Sequence, residues 1–341
     1  MRSFASDNNS GVHPEVMAAI IEANRDHAAG YGDDRWTERA AECVRQVFGE
    51  EARPFFLFNG TGANSVALQA VTRSFHSILC AATAHIYVDE CNAPARMTGC
   101  QLIAVATPDG KLTPDLLRPH LQHFGDCHHA QPGAVYISQA TELGTLYTVE
   151  EVRAIASLVH AHGMKLHMDG ARLANACAAL GCTMREVTVD AGVDILSLGG
   201  TKNGMMMGEA VVAFREEVAA DIKYYRKQSA QLASKMRYLS AQFIPYLDGL
   251  WLRNAQHANR QARRLAAALA RFPQLRLTQP VETNQLFIAM PRTVIARLSE
   301  RYFFYVWNEA ADEVRFVTSW DTTDEDIDAL VDARLALARV R

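Results

Sequence analysis

The pattern of hydrophobic and polar positions changes its character along the chain. Between about residues 53 and 215, short apolar runs alternate with segments whose apolar positions repeat at helical spacing. We interpret the apolar runs as buried strands over 55–58, 77–81, 101–105, 134–138, 165–169, 194–199 and 210–215. Strands that alternate with helices predict an α/β fold, with a mostly parallel sheet covered by helices on both faces.

Two of the intervening helices begin at recognisable signals. Thr148 with Glu151, and Thr183 with Glu186, fit the Ser/Thr-x-x-Glu capping box. Gly181 stands where the preceding helix is expected to end, because glycine readily adopts the left-handed conformation of a helix C-cap. These signals support the alternation of strand and helix.

The pattern is different after residue 215. Residues 216–242 and 255–272 are expected to be mostly helical. Further strands are expected near 276–278, 285–290, 303–307 and 314–319. A closing helix is expected after Thr322. We therefore predict a large domain over 1–245, with an N-terminal arm, and a smaller C-terminal α+β domain over 246–341.

Composition excludes several classes of protein. Hydrophobic residues make up 49% of the 341 residues, which is enough for a buried core, and the net charge of -4 argues against a nucleic-acid partner. The chain has no run of about 20 apolar residues, so no membrane span is expected. The N-terminal residues lack the apolar stretch of a signal peptide, which predicts a cytoplasmic protein. Seven scattered cysteines predict reduced thiols without a zinc pattern.

The ends of the predicted strands carry the candidate chemistry, because ligands of such sheets bind at the carboxyl ends of the strands. Gly60, Thr61 and Gly62 follow the first strand and precede a helix, where free N–H groups could hold a phosphate. The same residues could also form an ordinary tight turn. A dinucleotide site is disfavoured, because Ser65 replaces the third glycine of that motif and no acid follows at the required distance.

Two further strand ends carry an acid and a lysine. Asp169 could form an ion pair with Arg172, or it could bind a protonated ring nitrogen of a ligand. Lys202 lies in a glycine-rich loop after the next strand, in a chain whose 34 basic residues are mostly arginine. A desolvated lysine can lose its proton and attack a carbonyl, whereas arginine cannot. A solvated surface lysine is the alternative interpretation.

These strand ends are more informative together than apart. An Asp, a Lys 33 residues later and an upstream loop suited to anions are the parts of a pyridoxal 5'-phosphate (PLP) site. PLP needs a lysine for a Schiff base, an acid on its pyridine nitrogen and a phosphate cradle. We therefore predict that the chain binds PLP.

Several short segments, spread over essentially the whole chain, match the motifs of one known family; they are 5–8, 31–34, 59–64, 84–85, 167–172, 199–204, 235–237 and 314–316. In these segments the chain resembles the low-specificity L-threonine aldolases, which include L-allo-threonine and phenylserine aldolases. The segment His-Met-Asp-Gly-Ala-Arg, with a lysine about 30 residues later, is its most specific mark. The resemblance implies the PLP-dependent transferase fold of aspartate aminotransferase, known as fold type I.

The resemblance also implies which residues hold the cofactor. Lys202 would carry PLP, Asp169 would pair with the pyridine nitrogen, and Arg172 would lie near the phenolic oxygen. His85 would stack on the ring, although it could instead be a core histidine. The phosphate would be held by Gly60, Thr61 and Gly62. No metal ion is expected in the site.

A second set of residues is implied to bind the substrate. Ser6 and Arg315 would bind the carboxylate of the amino acid, and His128 would reach the region of its hydroxyl group. Two residues would enter the site from a neighbouring subunit: Tyr31 would bind the substrate, and Arg237 would bind the cofactor. A homodimer or homotetramer with shared active sites is therefore expected.

The implied reaction is the reversible retro-aldol cleavage of L-threonine, L-allo-threonine or a related β-hydroxy-α-amino acid to glycine and an aldehyde. The base that removes the hydroxyl proton stays open between His85, His128 and a bound water. One alternative is a PLP-dependent lyase of the same fold that eliminates at Cβ and yields pyruvate and ammonia. Another is a PLP-binding protein without enzymatic activity.

Overall fold

The strands predicted between residues 53 and 215 form one sheet. The computed structural model describes residues 2–338, with side chains up to residue 332, and within that range the large sheet has seven strands in the order β1-β7-β6-β5-β4-β2-β3. Their bounds are β1 Arg53–Leu57, β2 His76–Ala81, β3 Gln101–Val105, β4 Gln131–Ser138, β5 Lys165–Gly170, β6 Ile195–Gly199 and β7 Glu209–Ala213. Every strand predicted in this region is therefore confirmed, with small shifts at the ends.

The direction of the strands confirms a mostly parallel sheet. Strands β2 to β6 pair in parallel, while β7 is antiparallel to both of its neighbours, β1 and β6. In the parallel part, Asp169 lies opposite Ser138 on one side and Ser197 on the other. The carboxyl ends of β4, β5 and β6 therefore lie along one edge of the sheet.

Helices cover the sheet and connect its strands. In the part of the chain that the structure describes, they are α1 Pro14–Ala23, α2 Arg35–Phe48, α3 Gly60–Val71, α4 His85–Val88, α5 Ala93–Thr98, α6 Pro114–Leu117, α7 Val149–Ala161, α8 Leu173–Leu180, α9 Met184–Val187, α10 Glu216–Ala219, α11 Ile222–Gln228, α12 Arg237–Ser240, α13 Phe243–Pro245, α14 Trp251–Leu269, α15 Arg292–Ser299 and α16 Asp324–Ala338. Both predicted capping boxes are present, at the starts of α7 and α9. None of the helices within residues 2–338 combines the length and the apolar character needed to cross a membrane.

The segment 216–242 is less helical than predicted. It contains the short helices α10, α11 and α12, and the stretch between α11 and α12 is irregular. The reason is local, because Ala230 adopts a left-handed conformation with a φ of 57°. A residue in that conformation cannot continue a right-handed helix, so α11 ends just before it.

A second, antiparallel sheet follows in the C-terminal part of the chain. Its strands are β8 Arg276–Leu277, β9 Gln285–Ala289, β10 Tyr305–Asn308 and β11 Glu313–Val317, and their order is β10-β11-β9-β8. These strands agree with the smaller α+β unit expected from the sequence. The boundary at residue 245 stays a prediction.

The N-terminal segment is anchored on this second sheet. Phe4 is fully buried in the hydrophobic cluster that contains Phe316 and residues of α14 and α16. The backbone of Phe4 donates a hydrogen bond to Phe303 and accepts one from Val317, both about 3 Å long. This anchor places the residues that follow Phe4 between the two sheets.

Candidate active site

A cavity of about 560 Å³ opens at the carboxyl edge of the large sheet, beside β10 and β11. Its lining includes side chains from the N-terminal segment, from the large sheet and from the second sheet. Several residues implied by the resemblance lie there, namely Ser6, His85, Arg172, Lys202 and Arg315. The structure therefore brings together residues that are up to 309 positions apart in the sequence.

Lys202 enters the cavity from the turn that follows β6. It lies in a 3₁₀ helix of one turn, Thr201–Asn203, and its side chain is half-buried. Burial lowers the pKa of Lys202, and the positive charge of Arg172 lowers it further, against the opposite effects of Asp7 and Asp169. The amine is therefore easier to deprotonate than an exposed lysine, as a nucleophile must be.

Asp169 lies at the carboxyl end of β5 and has a fixed orientation. Its Oδ2 accepts hydrogen bonds from the Tyr136 hydroxyl (2.7 Å) and from Asn64 Nδ2 (2.9 Å), and its Oδ1 accepts one from the N–H of Ala171 (2.8 Å). Burial by itself raises the pKa of Asp169, but the hydrogen bond from Tyr136 and the charge of His85 bring that pKa below its usual value. The buried group is thus an anion, suited to binding a protonated ring nitrogen.

Arg172 is not the partner of Asp169, so the ion pair considered from the sequence does not form. Arg172 instead donates two hydrogen bonds to Asp7, from Nε to Oδ2 (2.8 Å) and from Nη2 to Oδ1 (2.9 Å). Asn284 Nδ2 donates a further hydrogen bond to Asp7 Oδ2 (3.0 Å). Asp7 is fully buried, and sequence reasoning missed it although the adjacent Ser6 was identified. The only signal was its place in the segment 5–8 that carries the resemblance.

His85 begins α4 and is connected to Asp169 through two buried side chains. His85 Nδ1 lies 2.7 Å from Glu90 Oε1, the same Glu90 oxygen accepts a hydrogen bond from Asn64 Nδ2 (2.8 Å), and Asn64 Nδ2 also reaches Asp169. Burial opposes a charge on the ring, yet the hydrogen bond to Glu90 and the charge of Asp169 raise the pKa of His85. The side chain is 38% exposed and lines the cavity, so it is not a core histidine.

The predicted anion loop is the first turn of α3. The N–H of Gly62 donates to the side chain of the N-cap residue Asn59 (2.8 Å), whereas those of Gly60 and Thr61 have no acceptor among residues 2–338. A Cβ on Gly60 would meet nothing within 4 Å, while one on Gly62 would lie 2.4 Å from the side chain of Gln231. Two free N–H groups at an open helix N-terminus are suited to a phosphate.

Arg315 points from β11 into the cavity with unused hydrogen-bonding capacity. Its Nη2 donates a long hydrogen bond to the carbonyl of Ala5 (3.3 Å), and its buried Nε has no partner within the described residues. The guanidinium lies over the ring of Trp307, 4.5 Å from the ring centre. Burial, together with the charge of Arg172, lowers the pKa of Arg315 to about 10. The arginine is therefore charged at neutral pH. It forms no ion pair with a carboxylate of the described residues, and the carboxylate of a ligand could supply that partner.

Asp169 and the loop 60–62 do not line this cavity themselves, and three further residues implied by the resemblance lie at the protein surface away from it. His128 is exposed in the loop before β4, at the opposite edge of the sheet from Lys202, and its N–H donates to Asp126. Tyr31 is 53% exposed, and Arg237 donates to the carbonyl of Asp26 (2.8 Å) beside a separate cavity of about 280 Å³. The roles of these three residues stay predictions.

The fold and the site together define a PLP-dependent enzyme of fold type I. Residues 3–292 match the family model described as beta-eliminating lyase. The low specificity L-threonine aldolase of Pseudomonas aeruginosa is 46% identical over 339 residues, which cover 98% of either chain. That of a Pseudomonas species is 45% identical over 325 residues, or 95% of this chain and 94% of the relative. The chain belongs to the low-specificity L-threonine aldolase family, whose cofactor is PLP.

Solved structures agree with this assignment. The threonine aldolase of Leishmania major superimposes with a TM-score of 0.93 and 29% identity, and the match covers 99% of each chain. An alanine–glyoxylate aminotransferase from Nostoc superimposes with a TM-score of 0.71 at 15% identity over 99% of this chain and 96% of that one. The second likeness concerns the fold alone.

Proposed function

We propose that this protein is a PLP-dependent aldehyde-lyase that cleaves L-threonine and L-allo-threonine, or related β-hydroxy-α-amino acids, to glycine and an aldehyde. The observation that carries the proposal is the 46% identity with the Pseudomonas aeruginosa enzyme across nearly the full length of both chains. The geometry of the cavity supports it, because its lining contains both Lys202, whose pKa is lowered, and Arg315, whose buried Nε has no hydrogen-bond partner in the part of the chain that the structure describes.

The residues of the site fit PLP. Lys202 would hold the aldehyde carbon of the cofactor, and the anionic Asp169 would hold its protonated ring nitrogen. The free N–H groups of Gly60 and Thr61 would hold the phosphate, and His85 would cover the ring. When bound, PLP supplies an electron sink for the pair released when a bond to Cα breaks.

The chain's own residues would orient the substrate. Arg315 and Ser6, which line the same cavity, would bind its α-carboxylate, with the guanidinium already held over Trp307. Arg172 would stay in place because both oxygens of Asp7 accept hydrogen bonds from it. Fixing the carboxylate fixes the rotation about the bonds of Cα, which decides which bond is broken.

A β-eliminating activity is a second candidate, and it is favoured by the family model that matches residues 3–292. One assay separates the two candidates. The protein is incubated with PLP and L-threonine, and the products are identified by NMR. We expect glycine and acetaldehyde, whereas a keto acid and ammonia would support elimination and would contradict the aldolase proposal.

We further propose that the active unit is a homodimer or homotetramer in the cytoplasm, with Tyr31 and Arg237 reaching the site of a neighbouring subunit. Supporting this, both residues lie at the protein surface away from the cavity of their own chain. The test mixes inactive Lys202→Ala and Arg237→Ala subunits and allows them to exchange. Hybrid oligomers should regain part of the activity, because some of their sites contain both native residues. Full activity in a verified monomer would contradict the proposal.

A further inference from the structure

We propose that Glu142 is a catalytic residue that accepts the proton of the substrate's β-hydroxyl group. The inference rests on the proposed aldolase function and names the base that the sequence left open. Glu142 was not singled out from the sequence. It follows β4 by four residues and lines the same cavity as Lys202 and Arg172.

One carboxylate oxygen of Glu142 is fixed, and the other is available. Oε1 accepts hydrogen bonds from the Ser138 hydroxyl (2.6 Å) and from the N–H of His85 (2.8 Å). Both hydrogen bonds that Glu142 accepts from other side chains or backbone groups of the described residues end on Oε1, and none of them uses Oε2. The two bonds hold the half-buried carboxylate in one orientation at the wall of the cavity, so Oε2 is free to meet a ligand hydroxyl.

The two histidines considered from the sequence are less suited to this role. His85 Nδ1 is bound to Glu90, and the raised pKa of His85 favours its protonated form, which cannot accept a proton. His128 lies in an exposed loop outside the cavity. Glu142, in contrast, has a pKa raised by burial, and this makes its carboxylate a stronger base than one in water.

The proton transfer balances without any further reactant. The hydroxyl proton of the substrate moves to Oε2 of Glu142, and the electron pair of the O–H bond becomes the second bond of the aldehyde carbonyl. The electron pair of the broken Cα–Cβ bond stays with Cα, and Cα then takes up a proton to give glycine. In the direction of synthesis, protonated Glu142 returns its proton to the new alkoxide.

The test compares two reactions of the holoenzyme, only one of which involves a β-hydroxyl group. The first is threonine cleavage, measured as kcat and KM. The second is the exchange of a Cα proton of glycine for deuterium in D₂O, followed by NMR. The absorbance of bound PLP on titration with threonine gives substrate binding separately from turnover.

We expect Glu142→Gln to lower kcat for threonine by about 100-fold or more, the range typical of a lost general base. Glycine exchange and the absorbance titration should change much less, because neither needs the β-hydroxyl proton to leave. The matched control is Glu282→Gln, since Glu282 is also half-buried and accepts a backbone hydrogen bond, from Leu146 (2.8 Å), but does not line the cavity. This control should behave like the native protein.

Two results would overturn the inference while leaving the proposed function intact. The first is a Glu142→Gln variant that cleaves threonine at the native rate. The second is an equal loss of cleavage and glycine exchange, which would make Glu142 a support for the cofactor. If Glu142→Gln fails to fold, the same two reactions are compared in Glu142→Asp, whose side chain is too short to bring its carboxylate to the β-hydroxyl group of the substrate. A native protein that releases no glycine from threonine would instead refute the proposed function.

Discussion

Replacing Arg315 by alanine tests how the substrate is bound. The guanidinium is largely buried, its Nε has no partner within the described residues, and it rests on the ring of Trp307. Its pKa of about 10 lies well above neutral pH, so the side chain is charged when the substrate binds. We expect Arg315→Ala to weaken binding and turnover of threonine without preventing the uptake of PLP.

The magnitude follows from the hydrogen bonds that the carboxylate would lose. A hydrogen bond to a charged group contributes about 1.5–3 kcal/mol, and a forked guanidinium can supply two of them. Water entering the cavity in place of the side chain recovers part of this free energy. A loss of about 3 kcal/mol in transition-state stabilisation therefore lowers kcat/KM by roughly 100-fold. Arg315→Lys should recover only part of the loss, because an ammonium group cannot form the fork.

The assay measures kcat/KM for threonine, with the absorbance of bound PLP as a check on the cofactor. Arg276→Ala is the matched control, because Arg276 is exposed on β8 of the same sheet and should change little. If Arg315→Ala retains nearly the native kcat/KM while its PLP absorbance is normal, the carboxylate is bound elsewhere and the reasoning is refuted.

Three further predictions concern charged groups in and behind the wall of the cavity, namely Lys202, Asp169 and Asp7. Borohydride reduction followed by peptide mapping should place the pyridoxyl group on Lys202, and finding it on Lys165 or Lys235 would contradict that assignment. Asp169→Asn should lower PLP affinity and turnover together, because it removes the anion that holds the ring nitrogen protonated; a turnover near the native value with PLP bound would contradict this role. Asp7→Asn should lower the free energy of unfolding in urea at pH 7 by about 3 kcal/mol, because Arg172 loses the anion that compensates its buried charge. The pKa of Asp7 is lowered in the folded state, so its stabilisation is present above the unfolded pKa of about 4 and disappears as the pH falls through the folded pKa. The difference in stability between the native protein and the variant should therefore shrink in acid, and a constant difference would contradict the argument.

The part of the site built on the large sheet could be predicted from the sequence. Apolar runs mark the strands, and the parallel arrangement places the carboxyl ends of β5 and β6 at one edge. Asp169 lies at the end of β5 and Lys202 in the turn after β6, so their proximity is a consequence of topology. The same reasoning predicts an anion site at the first turn of α3, since free N–H groups at a helix start do not depend on distant residues.

The rest depended on contacts between remote segments, which no local pattern reveals. Asp7 and Arg172 are 165 positions apart, and they meet because Phe4 anchors the N-terminal segment on the second sheet. For the same reason the sequence offered Arg172 as a partner for Asp169, three positions away, and missed the true pair. Glu142 was missed because its function depends on the orientation set by Ser138 and the backbone of His85.

The arrangement of charges around the cavity explains why the pKa of Lys202 is lowered although acidic groups surround it. Both carboxylate oxygens of Asp7 accept hydrogen bonds from Arg172. The oxygens of Asp169 accept hydrogen bonds from Tyr136, Asn64 and a backbone N–H. Burial raises the pKa of Glu209, which pairs with Gly199 on the neighbouring strand, to about 8, so its carboxyl group carries less negative charge at neutral pH than an exposed glutamate. No carboxylate within residues 2–338 forms an ion pair with the amine at close range. Burial and the charge of Arg172 therefore outweigh the acidic groups and lower the pKa of Lys202, which favours the neutral form of the amine.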